Sequence, residues 1–201
     1  MNTGQRPAGR PSEIKVYLLH VAALFRPSTA IVAFAVHQSE PGDVTGWPDE
    51  DQELLIAEGR RQIDRQIADL ERVRSRCQFL FTTVLGLLVI VLGTVRTIAG
   101  PDSHRVFLAL LLWCGSVISI ILGLLGTAAL ITTRKDLKIV DAAILSRASP
   151  PVLAQLAIGY ADAVRTGENS VATALTVQRD AVLLVIVGAF TYMAAWLLAV
   201  L

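Results

Sequence analysis

Three histidines, two cysteines and a spread of carboxylates are what this 201-residue sequence offers for catalysis or metal binding. They do not gather. His20, His37 and His104 fall in three separate regions, and none has a nearby cysteine or carboxylate to complete the kind of set that holds zinc. His104 stands beside Asp102 in a short polar link and reads as a solvated loop histidine. Cys77 and Cys114 lack the CxxC spacing of a metal or redox site. No phosphate-cradling P-loop, dinucleotide glycine fingerprint, HExxH or GxSxG occurs. The acids lie on charged helix faces or in polar stretches, away from the apolar settings that tune a carboxyl for acid–base work. The residues therefore imply no catalytic group, no cofactor and no metal ligand.

Two other kinds of residue do recur. Arg72, Arg74 and Arg76 form one basic run, and Arg134, Lys135 and Lys138 form another. Beside an apolar span such residues anchor on anionic headgroups, at about 1 kcal/mol each near the surface, and this reading displaces nucleic-acid binding. Gly115, Ser119, Gly123 and Thr127 recur every four residues, and Gly86 with Thr82 offers a similar spacing on another segment. Small residues at this interval let helix backbones approach closely in lipid, where no hydrophobic drive pulls helices together.

The elements that would carry these residues follow from composition. Hydrophobic residues make up 53% and charged residues 17% of the chain, against about 25% charged in soluble proteins. Mean hydropathy is +0.56. This excludes an ordinary soluble enzyme, a disordered tail and a disulfide-stapled secreted module. A bilayer core about 30 Å thick takes about 20 apolar residues of helix. Three windows serve: 79–95, 106–132 and 181–201, none containing Asp, Glu, Lys, Arg or His. Charge-free spans also argue against an ion-coupled transporter. Cys77 stands at one boundary of the first span and Cys114 inside the second, too far apart for the Cα separation under about 7 Å that a disulfide needs.

Cationic residues set the orientation. Arg60, Arg61, Arg65, Arg72, Arg74 and Arg76 precede the first span; Arg134, Lys135, Lys138 and Arg147 follow the second; Arg165 and Arg179 precede the third. The outward link 96–105 has only Arg96 and Arg105. The N-terminus and segment 133–180 are thus read as cytoplasmic and the C-terminus as outward. Only three of the 18 basic residues are lysine, which, with the richness in Ala, Val and Leu, points to a GC-rich bacterial genome and an inner-membrane location.

Residues 1–48 fit this scheme least well. The apolar stretch 16–36 is broken by Arg26 and Pro27, a costly pair inside a span. A mobile or surface-associated extension is the leading reading; a true start farther downstream, near Val44, a signal peptide and a fourth span remain open. From 49 to 78 an amphipathic stalk helix is expected, opening at Pro48 with Asp49, Glu50 and Asp51 in its first turn. Its stripe comprises Ile56, Ile63, Ile67, Leu70 and Cys77, while Arg60–Asp64 and Arg65–Asp69 are i,i+4 pairs on the wet face. Either the stripe packs on the protein's own helices or it forms a coiled-coil seam between protomers, for which Gly59 and Gln66 at d positions are poor residues. Within 133–180 three helices are expected: one over 136–147, one restarted by Pro150-Pro151 and ended by Gly167, and one capped by Asn169 or Ser170 that leads into the last span.

The stretches QIDRQIADLERVRSRCQFLFTTVLGLL and GENSVATALTVQRDAVLL resemble a group of small bacterial membrane proteins. In these an amphipathic helix enters a two-span hairpin, a cytoplasmic helical segment follows, and a last helix continues into a terminal span. The resemblance covers about residues 50–201 and is architectural. Some members are transmembrane effectors of cyclic-nucleotide antiphage signalling, which implies signal-gated assembly; this chain departs from them in having no evident nucleotide-sensing module.

The sequence thus predicts an all-α membrane protein. Three transmembrane helices join a small cytoplasmic helical bundle, and spans one and three extend into the cytoplasm. Its expected mode of action is non-enzymatic helix–helix assembly in the bilayer, as a homo-oligomer or with a membrane-protein partner. An accessory subunit of a larger membrane complex is the alternative, and a membrane-embedded enzyme the weakest class.

Overall fold

The computed structural model describes residues 12–26, 42–98, 103–132 and 151–200. Every element among them is a helix: α1 (Glu13–Phe25), α2 (Asp49–Gly93), the single turn α3 (Val95–Ile98), α4 (Ser103–Thr132) and α5 (Val152–Val200). No strand occurs among the described residues. Three of the helices, α2, α4 over Val106–Thr132 and α5, are long and apolar enough to cross a membrane. The expected helix over 136–147, the basic residues Arg134, Lys135 and Lys138, and His37 lie outside the described residues.

Local chemistry accounts for the ends of α2. Its first turn holds Asp49, Glu50 and Asp51, which suit the positive end of the helix dipole. The Pro48 carbonyl accepts the amides of Asp51 and Gln52. Gln52 reaches back with its side-chain amide to the carbonyls of Val44 (3.2 Å) and Trp47 (2.9 Å), folding the lead-in against the helix. At the other end the Val91 carbonyl accepts from the Thr94 hydroxyl at 2.8 Å and from the Trp113 indole at 2.9 Å. These bonds satisfy a carbonyl that the helix end would leave open.

The largest departure from the sequence reading is α5. Gly167 was expected to end one helix and Asn169 or Ser170 to cap the next, yet Val152–Val200 is a single 49-residue helix. The Ser170 hydroxyl, expected as a cap, and those of its neighbours Thr166 and Thr173 bond back to the helix backbone instead. Thr166 donates to the Asp162 carbonyl, Ser170 to Thr166 and Thr173 to Asn169, each four residues back, a pattern that leaves the helix intact.

The chain divides into two compact units. Among the described residues the first comprises 12–16, 42–70 and 151–173. Its core is Val44, Ile56, Ala154 and Ala157, flanked by Leu55, Leu153, Leu156, Ile158 and Tyr160. The second comprises 17–26, 71–98, 103–132 and 174–200. Its core is Val84, Val91, Ile120 and Leu124, with Leu80, Phe81, Leu87, Leu88, Trp113, Val117, Val185 and Tyr192 against it.

The described parts of 1–48 are packed on one side rather than loose. Val44 is buried in the first unit's core. In α1, Tyr17 and His20 are buried in the second unit. α1 ends at Phe25, and the exposed Arg26 follows it.

Candidate functional site

The small-residue face of α4 is the candidate site, and the second unit shows what it meets. Gly123 lies against α5: a Cβ built there would stand 2.7 Å from Val185 Cγ2 and 3.0 Å from the Ala181 carbonyl oxygen. Gly188 on α5 returns the contact, its built Cβ 2.7 Å from Ile120 Cγ1 and 3.2 Å from the Ser116 carbonyl. The Ser116 hydroxyl donates to the Gly188 carbonyl at 2.7 Å. Rising numbers on α4 thus meet falling numbers on α5, so the two helices run antiparallel and are closest where a glycine from each faces the other. Gly115 makes ordinary contact with Thr191, at 4.0 Å from its methyl. Thr127 is fully buried, its hydroxyl bonded at 2.8 Å to the Leu124 carbonyl. Ser119 is half-buried.

Gly86 behaves differently. It is exposed, and nothing lies within 4 Å of a Cβ built on it. The reason is helical geometry: Val84 and Val91, a heptad apart, are the buried seam of α2 here, and Gly86 sits roughly 200° round the helix from Val84. It is not part of the packing face within this unit.

Two contacts of this unit were not legible locally. Gly126, three residues past Gly123 and outside the series of four, leaves room for the Tyr17 ring of α1. The Tyr17 hydroxyl donates to the Leu122 carbonyl at 2.6 Å. Burial, reinforced by the Asp180 carboxylate, pushes that hydroxyl up to about 12, so it stays a neutral donor at physiological pH. The second is the Trp113–Val91 bond that ties α4 to the end of α2.

In the first unit the stalk stripe is placed in part. Ile56 and Ile63 are buried and Ile67 and Leu70 half-buried; farther along α2, in the second unit, Cys77 is fully buried. The d-position residues that looked unsuited to a zipper are the ones that receive α5. Gly59 takes the Tyr160 Cβ at 3.0 Å from its own built Cβ, and Gln66 is buried against Gly167. Gln66 donates to the Val164 carbonyl at 3.0 Å. A side chain at either glycine would occupy the neighbour's place, which is why Gly167 sits mid-helix. Arg60 departs from its expected Asp64 pairing: its Nε donates to the Tyr160 hydroxyl at 3.0 Å, and its guanidinium lies 5.4 Å over the ring. On the wet face Glu58 accepts from Arg61 and Gln62, which holds its carboxyl below the ordinary range.

Arg72, Arg74 and Arg76 are all exposed on α2. Among the described residues no three His, Cys, Asp or Glu side chains gather as a metal set. What the arrangement supplies is close, hydrogen-bonded helix packing. Comparison with protein families, with characterised proteins and with solved structures finds no match.

Proposed function

We propose that this chain is an integral protein of the bacterial inner membrane that acts by helix–helix assembly and performs no chemistry of its own. In this reading the N-terminus and residues 133–180 are cytoplasmic, the C-terminus is outward, and the helical contacts of the first unit receive a partner or signal. The spans then answer by assembly or altered permeability.

The observation that carries the reading is the apolar surface of the second unit. Leu85, Val89 and Ile90 of α2, Phe107, Leu111 and Ile118 of α4, and Leu183, Val187, Phe190 and Met193 of α5 are all exposed. The interior adds Ser116, Thr127 and small residues at the close α4–α5 contact to the apolar core of Val84, Val91, Ile120 and Leu124. An apolar exterior so extensive is unsuited to water, whereas in lipid it is the solvated side and small residues make the helix contacts.

The test is expression of the full chain followed by alkaline extraction of membranes, then detergent extraction and mass determination by light scattering. The reading expects the protein to resist alkali, to leave the membrane only in detergent and to run as a discrete oligomer. Depolarisation on overproduction supports an effector. Failure to accumulate unless a neighbouring membrane protein is co-produced supports the accessory-subunit alternative. Release by alkali overturns both.

A further inference from the structure

Helix α1 has three distinct arcs. At 100° per residue, Val16, Tyr17 and His20 share one arc, and all three are buried. Ile14, Leu18 and Phe25 fall within roughly 40° of each other on another, and they are 71%, 54% and 70% exposed. Lys15 and Arg26, both exposed, share a flank roughly 90° beyond that apolar edge. Glu13, the only acid of the helix, lies on the far side from them.

The buried arc fixes the level of the helix. Tyr17 bonds to the Leu122 carbonyl and sits against Gly126. The intervening Gly123 meets Ala181 and Val185 of α5, the first turn after Asp180, which is the last charged residue before the charge-free run 181–200. The Asp180 carboxylate is near enough to act on Tyr17. Tyr17 is therefore held where the apolar run meets its polar border, the level that tyrosine favours in membranes.

The basic flank fixes the direction. Lys15 and Arg26 are eleven residues apart on one side, about 16 Å along the axis. Were α1 to run across the bilayer, one of them would be carried that far into hydrocarbon, where a charge is costly. Lying flat, both reach headgroups while Ile14, Leu18 and Phe25 dip into the acyl boundary, the arrangement of interfacial amphipathic helices. We propose that α1 is an in-plane lipid-binding helix whose Ile14–Leu18–Phe25 edge rests on acyl chains and whose Lys15 and Arg26 hold anionic headgroups.

This rests on the membrane reading above, and the test separates the two. The full chain with Cys114→Ala carries a nitroxide at Leu18→Cys, Cys77 being fully buried, with a Leu111→Cys label as reference for the span. Both are reconstituted in phosphatidylcholine vesicles with and without a quarter phosphatidylglycerol. Collisions with oxygen report lipid, and those with a water-soluble nickel chelate report water. The expected result is several-fold more oxygen than nickel contact at Leu18 in the anionic vesicles. That ratio should fall at least twofold in pure phosphatidylcholine or on Lys15→Gln with Arg26→Gln. A Leu18 label open to nickel, or shielded from both probes by a protein neighbour, overturns the proposal if Leu111 still reports lipid. Indifference to headgroup charge overturns the assignment of Lys15 and Arg26. A Leu111 label open to nickel overturns the membrane reading itself.

Discussion

Replacing two glycines by alanine should move stability in opposite directions. At Gly123 the new methyl would lie 2.7 Å from Val185 Cγ2 and 3.0 Å from the Ala181 carbonyl. Val185 can rotate away, but the carbonyl belongs to a helix backbone and must move with it. Overpacking of this kind costs about 1–3 kcal/mol, and alanine's better helix propensity returns about 1 kcal/mol. Gly123→Ala should therefore lose up to about 2 kcal/mol, more than a tenfold change in the folding equilibrium. Gly86 has nothing within 4 Å of its built Cβ, so Gly86→Ala keeps only the propensity gain, up to about 1 kcal/mol. The assay is reversible unfolding of the full chain in mixed detergent micelles, followed by circular dichroism. The midpoints should shift to opposite sides of the parent. A loss at Gly86 equal to that at Gly123 would refute the assignment of Val84 and Val91 as the buried seam of α2, and a gain at Gly123 would refute the close α4–α5 contact.

Three further outcomes follow from the same contacts. Tyr17→Phe removes the bond to the Leu122 carbonyl and should cost about 0.5–1.5 kcal/mol in the same unfolding assay. Gly167→Ala intrudes on Gln66, so pairing it with Gln66→Ala should cost less than the sum of the two single changes, and a double-mutant cycle reads that coupling directly. The Glu58 carboxyl is held below its ordinary value of 4.5, chiefly by Arg61 and Gln62. Its contribution is thus present above that value and lost as pH falls through the lowered one. Glu58→Gln should flatten this part of the acid limb in a pH series of melting curves, and an unchanged limb would contradict it.

The long helices were legible because charge-free runs and heptad spacing are local signals, and α2 begins after Pro48 as its acidic first turn implied. The interruption expected in α5 was not real. Gly167 and Ser170 carry the local marks of a stop and a cap, and only contact with Gln66, 101 positions away in the sequence, explains a glycine inside the helix. Gly59, a residue poor for a symmetric zipper, admits Tyr160 from the chain's own α5, in keeping with a stripe that packs on the protein's own helices. The series Gly115, Ser119, Gly123, Thr127 could be read from spacing alone. The finer result, that Gly123 and Gly188 make the close approach while Ser116 carries the hydrogen bond, depends on the rotation of α5 about its axis, which no periodicity encodes. Gly86 matched the spacing and not the seam, since spacing says nothing of which arc faces inward. The Tyr17–Gly126 pairing joins an isolated short helix to a distant one and leaves no pattern to find.

The proposed assembly in the bilayer depends most directly on the membrane topology, and paired reporter fusions measure it. A fluorescent protein that folds only in the cytoplasm and a phosphatase active only outside are fused in turn after residue 76, after residue 102 and after residue 201. Three spans with the N-terminus inside require fluorescence without phosphatase activity at 76, and phosphatase activity without fluorescence at 102 and 201. Fluorescence at 201, or the same reporter active at both 76 and 102, would contradict the account.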